Sequence, residues 1–293
     1  MTDIKISVVI PTYNRVDFLR EAIESVLAQT FKDIELIVVD DGSSDGTQEL
    51  VASYKGMIRY IRQQNSGPSA ARNNGIKNAI GRYIAFLDSD DIWLPEMLSK
   101  QVSMFTENPT AGLVATGYRL INTVHELAEP VIMNKDELAD ARNGNLYMNF
   151  FATSSVMVNK VCFDKVGMFN ETLNFAEDWD MWIRILQRYS FVYLPEVLMH
   201  YRVHAAKISA TSLQENIKSW QRVIKMHSSN GNIFNDSILK RKRISWLYLN
   251  QAWAQRGHDL SLEKTFMLES ILAWPLWFPG RYSYFIKRMI KAV

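Results

Sequence analysis

The chain has 293 residues, of which 47% are hydrophobic and 22% are charged, and its formal net charge is +2. These values predict an ordinary globular protein with one large core or two modest ones, and they give no reason to expect nucleic acid as a partner. The single cysteine, Cys162, excludes an internal disulfide, which fits a reducing cytosol.

Strands and helices alternate through the first third of the chain. Apolar, β-branched runs predict strands at 6–10, 34–39, 58–61 and 83–87. Pro11 is expected to close the first strand, and Asp45 to cap the helix that ends near Tyr54. Further helices are predicted over 18–27, over 70–79 and after Pro95. This alternation predicts an α/β fold with a mostly parallel sheet flanked by helices, and ligands of such sheets bind beyond the carboxyl ends of the strands.

The pattern becomes less regular after residue 110. Short strands are predicted at 113–116, 155–158, 191–194 and 197–201, with a helix over 179–189. After about residue 210 the pattern is helical and richer in lysine and arginine.

Two familiar phosphate-binding motifs are missing from the sequence. No Gly-x-Gly occurs, so the dinucleotide fingerprint is absent, and no Gly-Lys pair is present to form a P-loop. A nicotinamide dehydrogenase and a P-loop ATPase or GTPase are therefore disfavoured. A nucleotide, if bound, has to be held by a metal and by side chains.

An acidic cluster directly follows the fourth predicted strand. Asp88, Asp90 and Asp91 repel one another unless a cation neutralises them, and strand alternation would place Asp88 and Asp90 on the same side. Oxygen ligands suit Mg²⁺ or Mn²⁺, ions that commonly hold a diphosphate. The alternative for the whole segment is a polar loop after the strand. Within a metal site, Asp91 is expected to support its neighbours or to cap a helix.

Six segments, taken in order, carry a resemblance to a known family. They are Pro-Thr-Tyr-Asn-Arg at 11–15, Val-Asp-Asp-Gly-Ser-Ser-Asp-Gly-Thr at 39–47, Asn-Ser-Gly-Pro-Ser-Ala-Ala-Arg-Asn at 65–73, the acids at 88–91, Ala-Glu-Asp-Trp at 176–179 and His-Tyr-Arg-Val-His at 200–204. Their order and spacing closely resemble glycosyltransferase family 2, whose members have the GT-A fold. The resemblance spans roughly residues 4–205.

The resemblance implies a pocket for a nucleotide-diphospho-sugar. Asp41 would accept the N3–H of a uracil, Tyr13 would stack on its ring, and Arg72 would meet a phosphate or the base. Asp90 would bind the metal, and His204 would reach the metal or the diphosphate. The whole donor-binding set is Pro11, Thr12, Tyr13, Arg15, Asp41, Arg72, Asp88, Ser89 and Asp90. The alternatives are structural: a loop aromatic for Tyr13, a salt bridge for Arg72 and a packed histidine for His204.

By the same resemblance, Asp178 is the catalytic base. Inverting sugar transfer is one in-line displacement, so a single carboxylate can take the proton of the attacking hydroxyl. Glu177 and Trp179 would then face the acceptor. The alternatives are an acid favoured by the helix dipole for Asp178 and a core position for Trp179.

The resemblance thus implies a metal-dependent inverting glycosyltransferase that uses Mn²⁺ or Mg²⁺. By the same resemblance, it would move a sugar from a UDP-linked donor onto a glycan or lipid-linked acceptor in surface polysaccharide biosynthesis. Residues 1–205 would form the catalytic domain, with a nucleotide-binding half to about 110, and 206–293 a helical extension. The alternatives are a non-catalytic nucleotide-sugar or glycan-binding module and, less well matched at 11–14, a nucleotidyltransferase.

The last segment suggests a membrane surface as a further partner. An apolar, aromatic block at 271–280 is followed by Arg281, Lys287, Arg288 and Lys291, a pattern that fits anionic lipid headgroups. Packing on the catalytic domain or on a second copy is the alternative. No apolar span of about 20 residues occurs, so we expect a cytoplasmic protein that is either free or attached to the inner face of the membrane.

Overall fold

In a computed structural model, the chain divides into two compact units, Met1–Thr211 and Ser212–Val293. The structure describes residues 6–142, 149, 151–173, 175–204, 213–228 and 260–273, together with 241, 244, 245, 248, 249 and 252. The predicted apolar block lies outside these residues from 274 onward, as do the four cations that follow it.

Within the described residues, the first unit is built around one nine-stranded sheet of order β3-β2-β1-β4-β8-β6-β9-β5, with β7 paired to β6. The strands are β1 Ile6–Thr12, β2 Ile34–Asp40, β3 Ile58–Arg62, β4 Tyr83–Phe86, β5 Ile92–Trp93, β6 Ala111–Ile121, β7 Leu127–Val131, β8 Val156–Asn159 and β9 Ser190–Arg202. The helices are α1 Val16–Leu27, α2 Thr47–Ser53, α3 Pro68–Asn78, α4 Met97–Glu107, α5 Lys135–Arg142, α6 Val161–Val166 and α7 Glu177–Leu186.

Strands β1 to β4, which we call the parallel half, confirm the predicted α/β alternation. β1 runs parallel to β2 and β4, and β2 runs parallel to β3. The central residues of β1, β2 and β4 are almost fully buried, which is why these three segments read as apolar runs. The strand β3 lies at the edge of the sheet, and only its first residue, Ile58, is buried. Pro11 does not end β1, since it still pairs with Val39 of β2. The pairing of β1 with β4 ends earlier, at Val9 and Phe86, so within the described strands Pro11 has a strand neighbour on one side only. A proline, which has no N–H to donate, is tolerated there.

Strands β5 to β9, which we call the mixed half, add antiparallel pairs. β8 is antiparallel to both β4 and β6, whereas β6 and β9 are parallel. The two strands predicted at 191–194 and 197–201 form one strand, β9. Its register shifts where Thr116 faces Leu194 and Gly117 faces Val197, so Pro195 and Glu196 are left out of the pairing. A bulge suits Pro195, which has no N–H to donate.

Asp45 lies one residue before the N-cap of α2 rather than at the cap itself. The helix begins at Thr47 with Gly46 as its N-cap. The Asp45 carboxylate accepts the N–H of Thr47 at 3.1 Å and that of Val16 at 3.0 Å. Asp45 therefore ties the start of α2 to the start of α1.

The second unit is described for two long helices, α8 Leu213–Ser228 and α9 Leu260–Ala273. A small buried cluster in this unit contains Leu249, Ala252, Phe266 and Met267. Among the residues that the structure describes in both units, no helix has the length and apolarity needed to cross a bilayer.

Candidate active site

The acidic cluster lies in a turn rather than on a strand. β4 ends at Phe86, and the turn is closed by the N–H of Asp91, which donates to the Asp88 carbonyl at 3.0 Å. One carboxylate oxygen from each of Asp88, Asp90 and Asp91 lies within 4.8 Å of the others. The expectation that strand alternation aligns Asp88 and Asp90 is therefore wrong, since the turn brings them together.

Asp90 is 2% exposed and joins three segments that are far apart in sequence. Its Oδ2 atom accepts a hydrogen bond from Nη1 of Arg15 and lies 2.9 Å from Nε2 of His204. Arg15 directly precedes α1, and His204 follows β9. Three residues predicted for one site thus meet at a single carboxylate.

Two residues that were not assigned from the sequence hold the acidic turn in place. The Ser154 hydroxyl accepts the Asp88 N–H at 3.0 Å and donates to Asp91 Oδ2 at 2.6 Å. The Arg202 N–H donates to Asp91 Oδ1 at 2.9 Å, and its Nε donates to the Asp90 carbonyl at the same distance. Asp91 therefore supports its neighbours, one of the two roles proposed for it. Arg202 belongs to the segment at 200–204, whereas nothing in the sequence singled out Ser154.

Arg72 connects the acidic turn to the start of α7. Its guanidinium is buried and donates at 2.7 Å both to Oδ1 of Asp88 and to Oε1 of Glu177. Burial alone would lower the pKa of Arg72, but the two carboxylates outweigh it and raise that pKa above its ordinary value. Arg72 therefore stays cationic, and Glu177 pairs with it.

Asp178 is half-buried at the first turn of α7. Its Oδ2 accepts hydrogen bonds from Nδ2 of Asn149 at 2.7 Å and from Oγ1 of Thr153 at 3.1 Å, and its Oδ1 accepts the N–H of Trp179 at 2.7 Å. Burial, reinforced by the charge of Glu177, raises the pKa of Asp178 to about 6. A carboxylate tuned toward neutral pH is suited to take a proton.

Trp179 is 1% exposed. Its ring therefore packs in the interior and offers no face for an acceptor sugar to stack on. Of the two roles considered for Trp179, this arrangement favours the structural one.

The loops that follow β1 and β2 are held by hydrogen bonds to each other and to the loop that follows β3. The Asp41 carboxylate accepts three hydrogen bonds of 2.8 to 2.9 Å, from the Gln63 side chain and from the N–H groups of Ser66 and Gly67. Asn14, with a φ of 50°, donates its backbone N–H to the Ser43 hydroxyl at 3.0 Å, and its Oδ1 accepts the N–H of Ser44 at 2.8 Å.

The remaining predicted donor residues line this same edge of the parallel half. Tyr13 is 47% exposed, whereas Pro11, Thr12 and Ser89 are buried. Within the described residues, Oγ1 of Thr12 is buried without a hydrogen-bond partner. An exposed ring beside a fastened loop is available to stack on a planar ligand.

Comparison with known proteins identifies a family. Residues 7–164 match the family model described as glycosyl transferase family 2. The chain is 34% identical over 214 residues to an uncharacterised glycosyltransferase of Rickettsia prowazekii, covering 72% of this chain and 67% of the relative. It is 30% identical over 220 residues to a Bacillus subtilis protein named as a putative teichuronic acid biosynthesis glycosyltransferase, covering 73% and 85%.

Solved structures show the same fold at low sequence identity. TarS of S. aureus, solved with UDP-GlcNAc, superposes with a TM-score of 0.68 at 17% identity, covering 92% of this chain and 81% of that one. A mannosyltransferase of Pyrobaculum calidifontis, solved with GDP-Man and Mn²⁺, gives a TM-score of 0.65 at 17% identity, covering 97% and 84%. These similarities confirm the predicted GT-A fold.

Proposed function

Because the chain belongs to glycosyltransferase family 2 and is a glycosyltransferase, we propose that it is metal-dependent and inverting, and that it transfers a sugar from a UDP-linked donor to a hydroxyl of a glycan or glycolipid. The observation that carries this proposal is the pair of hydrogen bonds from Arg72. These hydrogen bonds join Asp88 of the acidic turn to Glu177, the residue beside Asp178. The acidic turn suits a metal and a diphosphate, and Asp178 suits proton transfer. Donor-binding and proton-accepting groups therefore share one site.

The acidic turn fits a divalent metal ion. Three carboxylate oxygens within 4.8 Å of one another form a compact set of hard donors, and the His204 imidazole touches the same Asp90 oxygen. Oxygen with one nitrogen ligand suits Mn²⁺, and oxygen alone suits Mg²⁺. Asp90 and His204 would hold the ion, which when bound would neutralise the charge of the departing diphosphate. The Mn²⁺ in the Pyrobaculum structure supports this assignment.

The loops of the parallel half would hold the nucleotide. A carboxylate offers about four lone-pair sites, and Asp41 uses three of them within the protein, which leaves one for the N3–H of a uracil. The exposed ring of Tyr13 would stack on the base, and the buried residues Pro11 and Thr12 would contribute backbone groups. Asp88 would face the ribose or the sugar. The UDP-GlcNAc bound to TarS supports a UDP-linked donor.

Asp178 would act as the general base. The acceptor oxygen bonds to the anomeric carbon while the bond to the diphosphate oxygen breaks, and the acceptor proton passes to the Asp178 carboxylate. A pKa near 6 leaves this carboxylate mostly ionised at pH 7 while raising its basicity. One displacement inverts the anomeric centre without a second nucleophilic acid.

We assign the acceptor to a surface polysaccharide or its lipid-linked precursor, because the Bacillus relative is named for teichuronic acid biosynthesis. In this proposal residues 1–205 are the catalytic domain, 206–293 are the C-terminal extension, and the protein works in the cytoplasm. The extension would contact the inner face of the membrane through its cationic end. Replacing Arg281, Lys287, Arg288 and Lys291 with glutamine should reduce co-sedimentation with anionic liposomes, and unchanged co-sedimentation would contradict membrane contact.

Release of UDP from a panel of UDP-sugars tests the enzymatic proposal. With Mn²⁺ present, we expect release from one or a few donors, accelerated by an acceptor extract and abolished by EDTA. The matched control is Asp178→Asn, which should keep UDP binding and lose release. Donor binding without turnover of any sugar, with or without acceptor, would instead favour a non-catalytic nucleotide-sugar-binding module.

A further inference from the structure

Two side chains contact one oxygen of Asp90, and the positive charge of one of them, Arg15, opposes a metal ion at that oxygen. We propose that Arg15 competes with the divalent ion for Asp90 and is released onto the donor diphosphate, so that metal and donor bind cooperatively. This inference rests on the proposed function, since it assumes that Asp90 is a metal ligand. It assigns Arg15 a coupling role at that site.

The two partners of this Asp90 oxygen differ in how they can coexist with a metal ion. Nη1 of Arg15 and Nε2 of His204 both contact Oδ2 of Asp90, and these two nitrogens are 3.5 Å apart. A neutral imidazole can itself bind a metal, so His204 can stay beside the ion. A guanidinium has no acceptor atom and keeps its positive charge. Arg15 therefore opposes an ion at this oxygen, because its guanidinium and the ion repel each other, and outward movement of the side chain relieves that repulsion.

The withdrawal can be confined to the Arg15 side chain. The backbone around it is fastened, because Asn14 is bonded to Ser43 and Ser44, and the N–H of Val16 donates to Asp45. The Arg15 side chain is 19% exposed, whereas that of Asp90 is 2% exposed. The long arginine side chain thus has access to solvent at its outer side, and the carboxylate does not.

A diphosphate offers the released guanidinium a new partner. In the proposed site the donor diphosphate would be held by the metal and so would lie near Asp90, the residue that Arg15 contacts from the start of α1. Arginine pairs well with phosphate oxygens. Without donor, the metal would bind against the positive charge of Arg15. With donor, the phosphates would balance that charge, and the Arg15–Asp90 pair would be exchanged for an Arg15–phosphate pair. Each ligand then strengthens the other by the same factor.

Manganese binding followed by electron paramagnetic resonance tests this directly, because the signal of free aqueous Mn²⁺ falls as the ion binds. Mn²⁺ is titrated into wild-type protein, Arg15→Gln, Arg15→Lys and Asp90→Asn, with and without UDP. Arg20→Gln is the matched control, since it removes the same charge from an exposed position on α1.

We expect Arg15→Gln to bind Mn²⁺ without UDP about tenfold more tightly than wild type, as removal of one charge-assisted contact to the metal ligand implies. UDP should then improve Mn²⁺ affinity less in Arg15→Gln than in wild type. Arg15→Lys should fall between the two, and Arg20→Gln should match wild type.

Equal or weaker Mn²⁺ binding by Arg15→Gln, with binding lost in Asp90→Asn, would overturn the inference and leave the metal site intact. Mn²⁺ binding that is absent throughout, or unaffected by Asp90→Asn, would overturn the metal site itself and the inference with it.

Discussion

The parallel half and the mixed half of the sheet hold their functional groups in different ways. In the parallel half, Asp41 is fixed by groups 22 to 26 positions away, in the loop after the next strand. Groups of the mixed half depend on more distant contacts: Glu177 bonds to Arg72 across 105 positions, and Arg202 to Asp91 across 111. We propose that the parallel half binds the donor, whereas the mixed half supplies the base and holds the acidic turn through Arg202.

Replacing the base should produce the largest effect and should change rate rather than binding. Asp178→Asn removes the proton acceptor, so we expect kcat to fall by about 10²- to 10⁴-fold, with the Kd for UDP unchanged within a factor of about two. Asp164→Asn, an exposed acid on α6, is the control. Sugar transfer at the wild-type rate by Asp178→Asn would show that Asp178 is not the base and that the mixed half does not supply it.

Breaking the link between the halves should cost stability. Arg72→Gln leaves the carboxylates of Asp88 and Glu177 without their cation in a largely buried setting, so we expect the free energy of unfolding to fall by about 3 kcal/mol. Urea denaturation measures this change, with the exposed Arg188→Gln as control. An unchanged midpoint would show that the two halves are not coupled through Arg72.

A substitution in the parallel half should change binding rather than rate. Asp41→Asn weakens the contacts to the 63–67 loop and replaces the proposed acceptor for the base, so we expect the Kd for UDP to rise about tenfold. Isothermal titration measures the Kd, and kcat at saturating donor should stay within about threefold. A large loss of kcat with unchanged UDP affinity would contradict the assignment of donor binding to the parallel half.

The smallest effect should be a shift in pH dependence. Activity requires the Asp178 carboxylate, so it should be present above pH 6 and decline as the pH falls through about 6. Asn149 donates to the ionised form and lowers the pKa, so Asn149→Ala should move the acid limb of kcat to higher pH. A limb that stays in place, or moves to lower pH, would show that Asn149 does not tune the base.

The same contrast explains what the sequence could predict. In the parallel half, apolar runs and polar loops alternate at short range, so periodicity predicts the strands and places Asp41 and the acidic turn after the carboxyl ends of β2 and β4. Even there, residues 88–91 form a turn and do not continue the strand. Asp88 and Asp90 are close, as predicted, but because of this turn and not because of strand alternation.

In the mixed half, local patterns carry less information. Ser154 reaches the site because β8 lies between β4 and β6, a pairing that no short-range signal specifies. The burial of Trp179 likewise depends on how α7 packs, since its side chain fits a core or a sugar platform equally well. Long-range packing, rather than propensity, decides both positions.

A crystal grown with Mn²⁺ and UDP gives the most direct test of the central assignment, by anomalous diffraction at a wavelength where manganese scatters. We predict an anomalous peak within bonding distance of an Asp90 carboxylate oxygen and of a phosphate oxygen of UDP. Clear density for UDP with no such peak beside Asp90 would contradict the account.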